Sequence, residues 1–185
     1  NGTGLEYYNS TSKNQTVNAI NLSICGAAPQ NVPFFNFTLY DEETLLVMNG
    51  SIESILTYTL GTSNITKQLT YSYINSTSGT SNFAFCLSPP DKTLKIAGIT
   101  EYYSAGYDHR TYLFINNSFT NTTTHIPLYL LSTASSDVVT FTVVDDFYTP
   151  LEGAIIKVYR WNIATDTYYL VNTITTGSSG TAGSN

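Results

Sequence analysis

Apolar and polar residues alternate with a period of two along most of the chain, and this alternation limits its possible folds more than any other feature. In FFNFTLYDE, Phe35, Phe37 and Leu39 fall on one face of a strand. The intervening Asn36 and Thr38 fall on the other face, so the segment buries one side and exposes the other. Helical periodicity is almost absent. The sequence therefore predicts an all-β protein.

Six further segments before residue 132 have strand-like sequence. They are SILTYTLG, KQLTYSYIN, SNFAFCLSPP and residues 93–99, 110–115 and 126–131. Turn-rich stretches such as NSTSGTSN, LSPPD and NNSFTNTTT lie between them. Short strands at this spacing are typical of sandwiches, so residues 27–131 are predicted to form one antiparallel, Ig-like β-sandwich domain.

A second β-rich region follows a small polar linker, STASSD, at residues 132–137. Its predicted strands cover residues 139–143, 154–161 and 168–174. The tail GSSGTAGSN is flexible by composition. Three strands cannot close a sandwich, so residues 138–185 are predicted to form an incomplete β-sandwich in tandem with the first. Two explanations fit an incomplete sandwich: a fragment of a longer chain, or an acceptor for a strand of the next subunit.

The stretch VTFTVVDDFYTPLEGAIIKVYRW resembles the carboxypeptidase-regulatory-like domains, which are relatives of the transthyretin-like and collagen-adhesin B-type repeats. Their pattern is a strand that ends in V-x-D, a turn, P-L-x-G-A and an apolar strand. The matching residues here are Val143, Asp145, Pro150, Leu151, Gly153 and Ala154. The later T-D-x-x-G turn of that family is matched loosely by TTGSSGTA, which lacks the Asp. The resemblance implies a β-sandwich that serves as a spacer or adhesive module in an extracellular protein.

Asn-X-Ser/Thr sequons are the strongest indication of where the protein works. They start at Asn1, Asn9, Asn14, Asn21, Asn36, Asn49, Asn64, Asn75, Asn116 and Asn121. With 17 Asn and 48 Ser plus Thr among 185 residues, chance predicts about four. All ten precede residue 122, and the last 64 residues have none. This distribution predicts a heavily N-glycosylated extracellular or cell-surface protein whose last third faces a neighbour.

Cys25 and Cys86 are the only cysteines, and an extracellular location would permit a disulfide between them. A loop of this length would stabilise the folded chain by about 4 kcal/mol in the chain-entropy model. The alternative is two buried free thiols. The spacing excludes a CxxC-type metal or redox site.

The N-terminal arm, residues 1–26, carries four sequons and little apolar sequence. Its exception is AINLSIC at residues 19–25, which has the composition of a strand. Two roles fit this run: an edge strand anchored by the disulfide, or a donor strand that completes a neighbouring subunit.

Composition argues against several classes of partner. The net charge is −6 and the seven basic residues are thinly spread, so nucleic-acid binding is not expected. No apolar run approaches the roughly 20 residues that a membrane-spanning helix requires. The 15 tyrosines could stack on sugars, but most occupy strand positions where core packing is the favoured role.

The whole chain is similar in style to secreted archaeal surface-layer and surface-filament glycoproteins, with YDEETLL starting at Tyr40.

Catalytic motifs are missing from the sequence. His109 and His125 are the only histidines, and Asp108-His109-Arg110 follows a turn, which favours an exposed polar loop. No G-x-S-x-G, HExxH or glycine-rich phosphate loop occurs. The sequence therefore predicts that the protein is not an enzyme and has no cofactor apart from covalent N-glycans.

Two acidic clusters raise the alternative of calcium. They are Asp41, Glu42 and Glu43, and Asp145, Asp146 and Glu152. Neither matches a calcium-binding loop motif, so solvated loop carboxylates are favoured and no metal is expected. A Lys157–Asn172 isopeptide bond is a further alternative, because some adhesin repeats of this type contain one.

These observations favour a structural protein. The sequence predicts a subunit of an extracellular, pilus-like filament or surface layer in which copies of the chain assemble by β-strand complementation. The alternative is an adhesin or virion-surface fibre module that binds cell-surface glycans. A third candidate is an accessory domain of a secreted glycosidase or peptidase.

Overall fold

The alternating segments form strands in a computed structural model, which describes residues 20–26, 31–61, 66–74, 79–163 and 165–184. These residues contain twelve β-strands and no helix, which confirms the all-β class. In chain order the strands are β1 (Asn21–Ile24), β2 (Pro33–Asp41), β3 (Ser51–Leu60), β4 (Lys67–Tyr73), β5 (Asn82–Ser88), β6 (Leu94–Tyr103), β7 (Arg110–Phe119), β8 (Thr124–Leu130), β9 (Val139–Thr142), β10 (Ile155–Asn162), β11 (Thr167–Thr175) and β12 (Thr181–Ser184).

The first eight strands form two four-stranded sheets around one hydrophobic core. Sheet 1 has the order β1-β5-β2-β8, and sheet 2 has the order β4-β3-β6-β7. Phe35, Phe37 and Leu39 are buried in the core, on the face that the alternation predicts. Phe35 stacks on Phe85 of β5 with the ring centroids 4.8 Å apart. The sandwich prediction is confirmed.

One pairing departs from the antiparallel prediction. β2 and β8 run parallel, with Phe37 opposite Ile126, whereas the other pairings between named strands of the described residues are antiparallel. After β2 the chain builds sheet 2 and β5 before β8 returns beside β2 in the same direction. Alternation within a strand carries no information on the direction of its neighbour, so the sequence did not reveal this pair.

β1 belongs to the sandwich. It pairs with β5 of the same chain, and the Cys25–Cys86 disulfide joins the two segments, which confirms the predicted bond and excludes the free-thiol alternative. Leu22 is buried in the core, so the sandwich begins before residue 27. Of the two roles predicted for residues 19–25, the edge strand is the one that the structure contains.

Residues 138–184 contain the last four strands, and we call this segment the C-terminal unit. Its strands pair in two two-stranded sheets, β9 with β12 and β10 with β11. The prediction of a flexible tail is wrong for Thr181–Ser184, which form β12. Gly180 turns the chain towards β12 at φ +69°, where a Cβ would lie 2.6 Å from the Val143 carbonyl oxygen. Only glycine fits this turn without a shift of the backbone.

β11 connects the C-terminal unit to the sandwich, where it packs against β7 and β8. The Thr111 amide donates a hydrogen bond to Asn172 Oδ1 at 3.0 Å. The Tyr102 hydroxyl donates to the Val171 carbonyl at 2.9 Å. Burial raises the pKa of Tyr102 far above its ordinary value, so this hydroxyl keeps its proton and remains a donor.

Candidate functional site

Most of the large apolar side chains that are exposed among the described residues belong to the C-terminal unit. The hydrophobic core is built from residues between Leu22 and Leu130, and Val171 is the one buried apolar residue described beyond them. Eleven of the seventeen large apolar side chains that are exposed among the described residues lie in the C-terminal unit. They are Val138, Val139, Val144, Phe147, Tyr148, Leu151, Ile155, Tyr159, Trp161, Ile163 and Tyr168. Such a concentration marks an interaction surface or an unfinished core.

The β10–β11 hairpin carries an apolar face, which we define as Ile155, Tyr159, Trp161 and Tyr168. The first three share one side of β10 because successive side chains alternate. Trp161 lies opposite Tyr168 in the register, and their ring centroids are 4.7 Å apart. All four side chains are exposed. Within the described residues β10 pairs with β11 alone, so no strand lies along its other edge.

The opposite side of this hairpin meets the sandwich through an ion-pair cluster. The Glu42 carboxylate accepts one hydrogen bond from Arg160 of β10 at 3.0 Å and another from Arg110 of β7. The side chains of Glu42 and Arg110 are only 6% and 2% exposed. The expectation that Glu42 is a solvated loop carboxylate is therefore wrong. Its partners are distant in sequence, and only the fold brings them to it.

A groove of about 290 Å³ lies beside this cluster, at the junction of the two units. Its lining includes Glu42, Arg160, Tyr129 and Tyr169, and the half-exposed ring of Trp161. The rings of Tyr129 and Tyr169 stack at 5.1 Å. Aromatic faces beside charged groups suit a ligand with both apolar and hydroxyl surfaces. Sequence reasoning missed this groove, because its residues come from segments more than a hundred positions apart.

The structure places five of the ten sequon asparagines. Asn21, Asn49, Asn116 and Asn121 are exposed, and Asn36 is half-buried on the outer side of β2. Asn36 Nδ2 lies 3.5 Å from Asn82 Oδ1. Asn1, Asn9, Asn14, Asn64 and Asn75 lie outside the described residues.

The cluster Asp108-His109-Arg110 is divided in the fold. His109 stacks on Tyr103 with the ring centroids 4.3 Å apart, whereas Arg110 is buried against Glu42. His125 lies exposed on β8.

The acidic loops are organised by hydrogen bonds with their own turns. Asp145 Oδ1 accepts the amides of Phe147 and Thr149, both at 2.8 Å, and these bonds lower the pKa of Asp145. Asp41 Oδ1 accepts the amide of Thr44 at 2.7 Å. Within the described part of the chain, no group of three or more His, Cys, Asp or Glu residues is placed to hold a metal ion.

The Lys157–Asn172 isopeptide alternative is contradicted. Asn172 lies opposite Val158 in the register, so Lys157 projects from the other face of the hairpin and is exposed. The Asn172 amide is also engaged elsewhere, because Nδ2 donates to Ser184 Oγ at 3.0 Å.

No helix among the described residues has the length and apolar character needed to cross a membrane.

Comparisons with known proteins found no match to this chain among family models, curated proteins or solved structures.

Proposed function

We propose that this protein is a non-enzymatic structural subunit of an extracellular, N-glycosylated filament. In this proposal the C-terminal unit is completed by a β-strand from the next copy of the chain. One observation carries it: a sandwich with a full core is joined to a unit of two two-stranded sheets whose apolar side chains are exposed.

The physical basis is strand addition. An exposed strand edge offers backbone donors and acceptors to an incoming strand, and side-chain alternation then fixes the register. The incoming strand would also cover apolar surface, which contributes roughly 25 cal/mol per Å² removed from water. Because the donor and the acceptor are different parts of the chain, the contact is head-to-tail and extends into a filament.

The C-terminal unit is proposed to be an incomplete sandwich of the carboxypeptidase-regulatory-like kind. In support of this proposal, Gly153 of the P-L-x-G-A pattern adopts φ +75°, a conformation that favours glycine. Its amide donates to the Thr176 carbonyl at 2.9 Å and so links this turn to the segment that follows β11.

The donor that we propose is the segment before β1, residues 1–19 of the next copy, which would pair through a stretch between its sequons at Asn1, Asn9 and Asn14, so that their glycans stay outside the joint. Residues 21–24 are poor donors, because they already pair with β5 and the disulfide at Cys25 ties them to their own chain. A fully extended segment of 19 residues reaches roughly 60 Å, enough to cross to a neighbouring molecule.

Extracellular location and glycosylation are part of the proposal. The four exposed sequon asparagines of the described residues are accessible to a glycan. The Cys25–Cys86 disulfide is the kind of bond that persists in oxidising compartments.

Two variants test the filament proposal. Deletion of residues 1–19 removes the donor and retains β1 and the disulfide. The double substitution Ile155→Lys and Tyr159→Lys places two charges on the apolar face of the hairpin and blocks the acceptor. The matched control is Ile55→Lys, because Ile55 is an equally exposed apolar residue on a sandwich strand.

Electron microscopy and light scattering should show filaments for the full chain and the control, and monomers for each variant. A mixture of the two variants should form 1:1 dimers, since one supplies the acceptor and the other the donor. Filaments from the deletion variant would contradict the assigned donor. A full chain that stays monomeric would contradict the filament.

The groove at the junction favours a second candidate, an adhesin module that binds cell-surface glycans. Sugar rings stack on exposed aromatic faces, and Trp161 presents one beside the Arg160 guanidinium. Glycan-array binding that is lost in Trp161→Ala and retained in Tyr148→Ala would support this function. Tyr148 is a suitable control because it is exposed outside the groove.

A further inference from the structure

In the part of the chain that the structure describes, the sandwich has four edge strands, which lie on two sides of it. β8 of sheet 1 and β7 of sheet 2 share one side, because β11 packs against both. β1 and β4 share the other side, where Lys67 Nζ of β4 donates to the Ile20 carbonyl just before β1 at 2.9 Å. Each edge strand leaves one row of backbone groups open to pairing with another chain.

A sequon accompanies each of these four edges. Asn21 is the first residue of β1, and Asn116 lies within β7. In the sequence, Asn64 precedes β4 by three residues, Asn75 follows it by two, and Asn121 precedes β8 by three. We call these five asparagines the edge sequons.

On the side next to the C-terminal unit, β11 covers one end of β7 and β8, and sequons lie at the other end. β11 covers the beginning of β7, where the Thr111 hydroxyl donates to the Thr173 carbonyl. It also covers the end of β8, where Tyr129 stacks on Tyr169. Asn116 and Asn121 mark the opposite ends of the same two strands, where β7 is exposed. The sequons therefore lie where the C-terminal unit leaves the edge uncovered.

The edge strands of the C-terminal unit have no sequon beside them, because the sequence contains none after Asn121. Its β10 edge and its exposed apolar side chains remain accessible to a second copy. An N-glycan is bulky and hydrated, so a glycan beside the open edge of a sandwich strand hinders the approach of a second copy along that edge.

We propose that N-glycans on the edge sequons block the edges of the sandwich and thereby confine β-pairing between copies to the C-terminal unit. This inference rests on the proposed function and adds a regulatory role for the glycans. The chemical groups are N-linked glycans on Asn21, Asn64, Asn75, Asn116 and Asn121, and the excluded partner is a second copy of the same chain.

The test is a full-length variant in which all five edge sequons are changed from Asn to Gln, produced in a host that N-glycosylates. The matched control changes Asn36 and Asn49, which lie on or beside the interior strands β2 and β3. Glycopeptide mass spectrometry measures occupancy. Electron microscopy measures the ratio of laterally associated to single filaments, and trimming of the folded wild type with an endoglycosidase provides a second route that leaves the sequence unchanged.

We expect the edge variant and the trimmed protein to show a several-fold rise in lateral association, and the control to match the wild type. Unoccupied edge sequons, or an edge variant and trimmed protein that associate no more than the control, would overturn the inference and leave the filament proposal standing. If the wild type is monomeric and the edge variant associates, the filament proposal fails and the edge-blocking role is supported.

Discussion

The sandwich and the C-terminal unit are built from the same kind of alternating strands, yet they treat their apolar side chains in opposite ways. Phe35 on β2 is 0% exposed, whereas Tyr168 on β11 is 67% exposed. Two four-stranded sheets enclose a core, and two two-stranded sheets do not. A pair of strands is too narrow to bury the apolar side chains of a facing sheet. The comparison shows that sheet size, rather than sequence pattern, decides whether an alternating strand is buried.

The strongest way to test this contrast is to make the same substitution in both units. Phe35→Ala should cost about 4 to 5 kcal/mol of unfolding free energy, because it removes a ring that contacts Phe37, Phe85, Phe114 and Phe119. Phe147 lies in the turn between β9 and β10 and is 87% exposed, so Phe147→Ala should change it by no more than about 0.5 kcal/mol. Urea unfolding monitored by circular dichroism measures both changes in unfolding free energy. Similar losses at the two positions would mean that Phe147 is also buried, in the monomer or in a polymer.

The disulfide should distinguish the units next. Replacing Cys25 and Cys86 by Ser should lower the unfolding free energy of the sandwich by up to about 4 kcal/mol, since the bond spans 61 residues. The C-terminal unit contains no cysteine. Loss of the disulfide should therefore change the hydrogen-exchange rates of the β10 and β11 amides far less than those of the β1 and β5 amides. An equal change in all four strands would show that the two units unfold as one.

The sequence predicts the inward faces of the strands well, because burial on one side of a strand produces a local alternation of apolar and polar residues. Phe35, Phe37 and Leu39 are an example: their spacing alone assigns them to the core. β12 was missed because Thr181–Ser184 have the composition of a linker, and its pairing with β9 depends on a turn at Gly180 rather than on apolar residues. The parallel partner of β2 was missed for a related reason, since strand order is a property of the whole chain.

The candidate site divides in the same way. The exposed apolar strands and the sequons are local features, and both can be read from the sequence. The cluster around Glu42 is not local, because Arg110 and Arg160 lie 68 and 118 positions away. A carboxylate among other carboxylates in a loop gives no sign that two guanidinium groups reach it.

Glu42 also gives a way to loosen one unit from the other. Glu42→Gln should cost about 3 kcal/mol, because it removes the negative charge that offsets the buried guanidinium of Arg110. Arg160→Gln is the matched control. Its side chain is 45% exposed, so we expect a loss of roughly 0.5 kcal/mol.

Hydrogen exchange adds a spatial measure to this pair. In Glu42→Gln, amides of β11 should exchange faster than amides of β3, because the cluster lies at the junction and β3 lies in the middle of sheet 2. Uniform acceleration would indicate that Glu42 stabilises the sandwich alone and does not connect the units.

The smallest expected effect concerns one aspartate in each unit. Burial raises the pKa of Asp41, but hydrogen bonds from Thr44, Tyr107 and Glu43 outweigh it and hold the pKa below the ordinary 3.8. In Asp145 the amides of Thr149 and Phe147 lower the pKa in the same direction.

A carboxyl group whose pKa is lower in the folded state stabilises that state at pH values above its unfolded pKa, and the contribution is lost as the pH falls through the folded pKa. Both turns should therefore lose stability only below about pH 4. Carbon-detected NMR titration of the two carboxyl groups should give midpoints below 3.8, the ordinary value for both. Asp41→Asn should remove the acid-dependent step from the sandwich, and Asp145→Asn should remove it only from the C-terminal unit. A midpoint at or above the ordinary value for either residue would contradict the turn geometry assigned to that unit, and a change in both units from one substitution would show that the two turns are coupled across the junction.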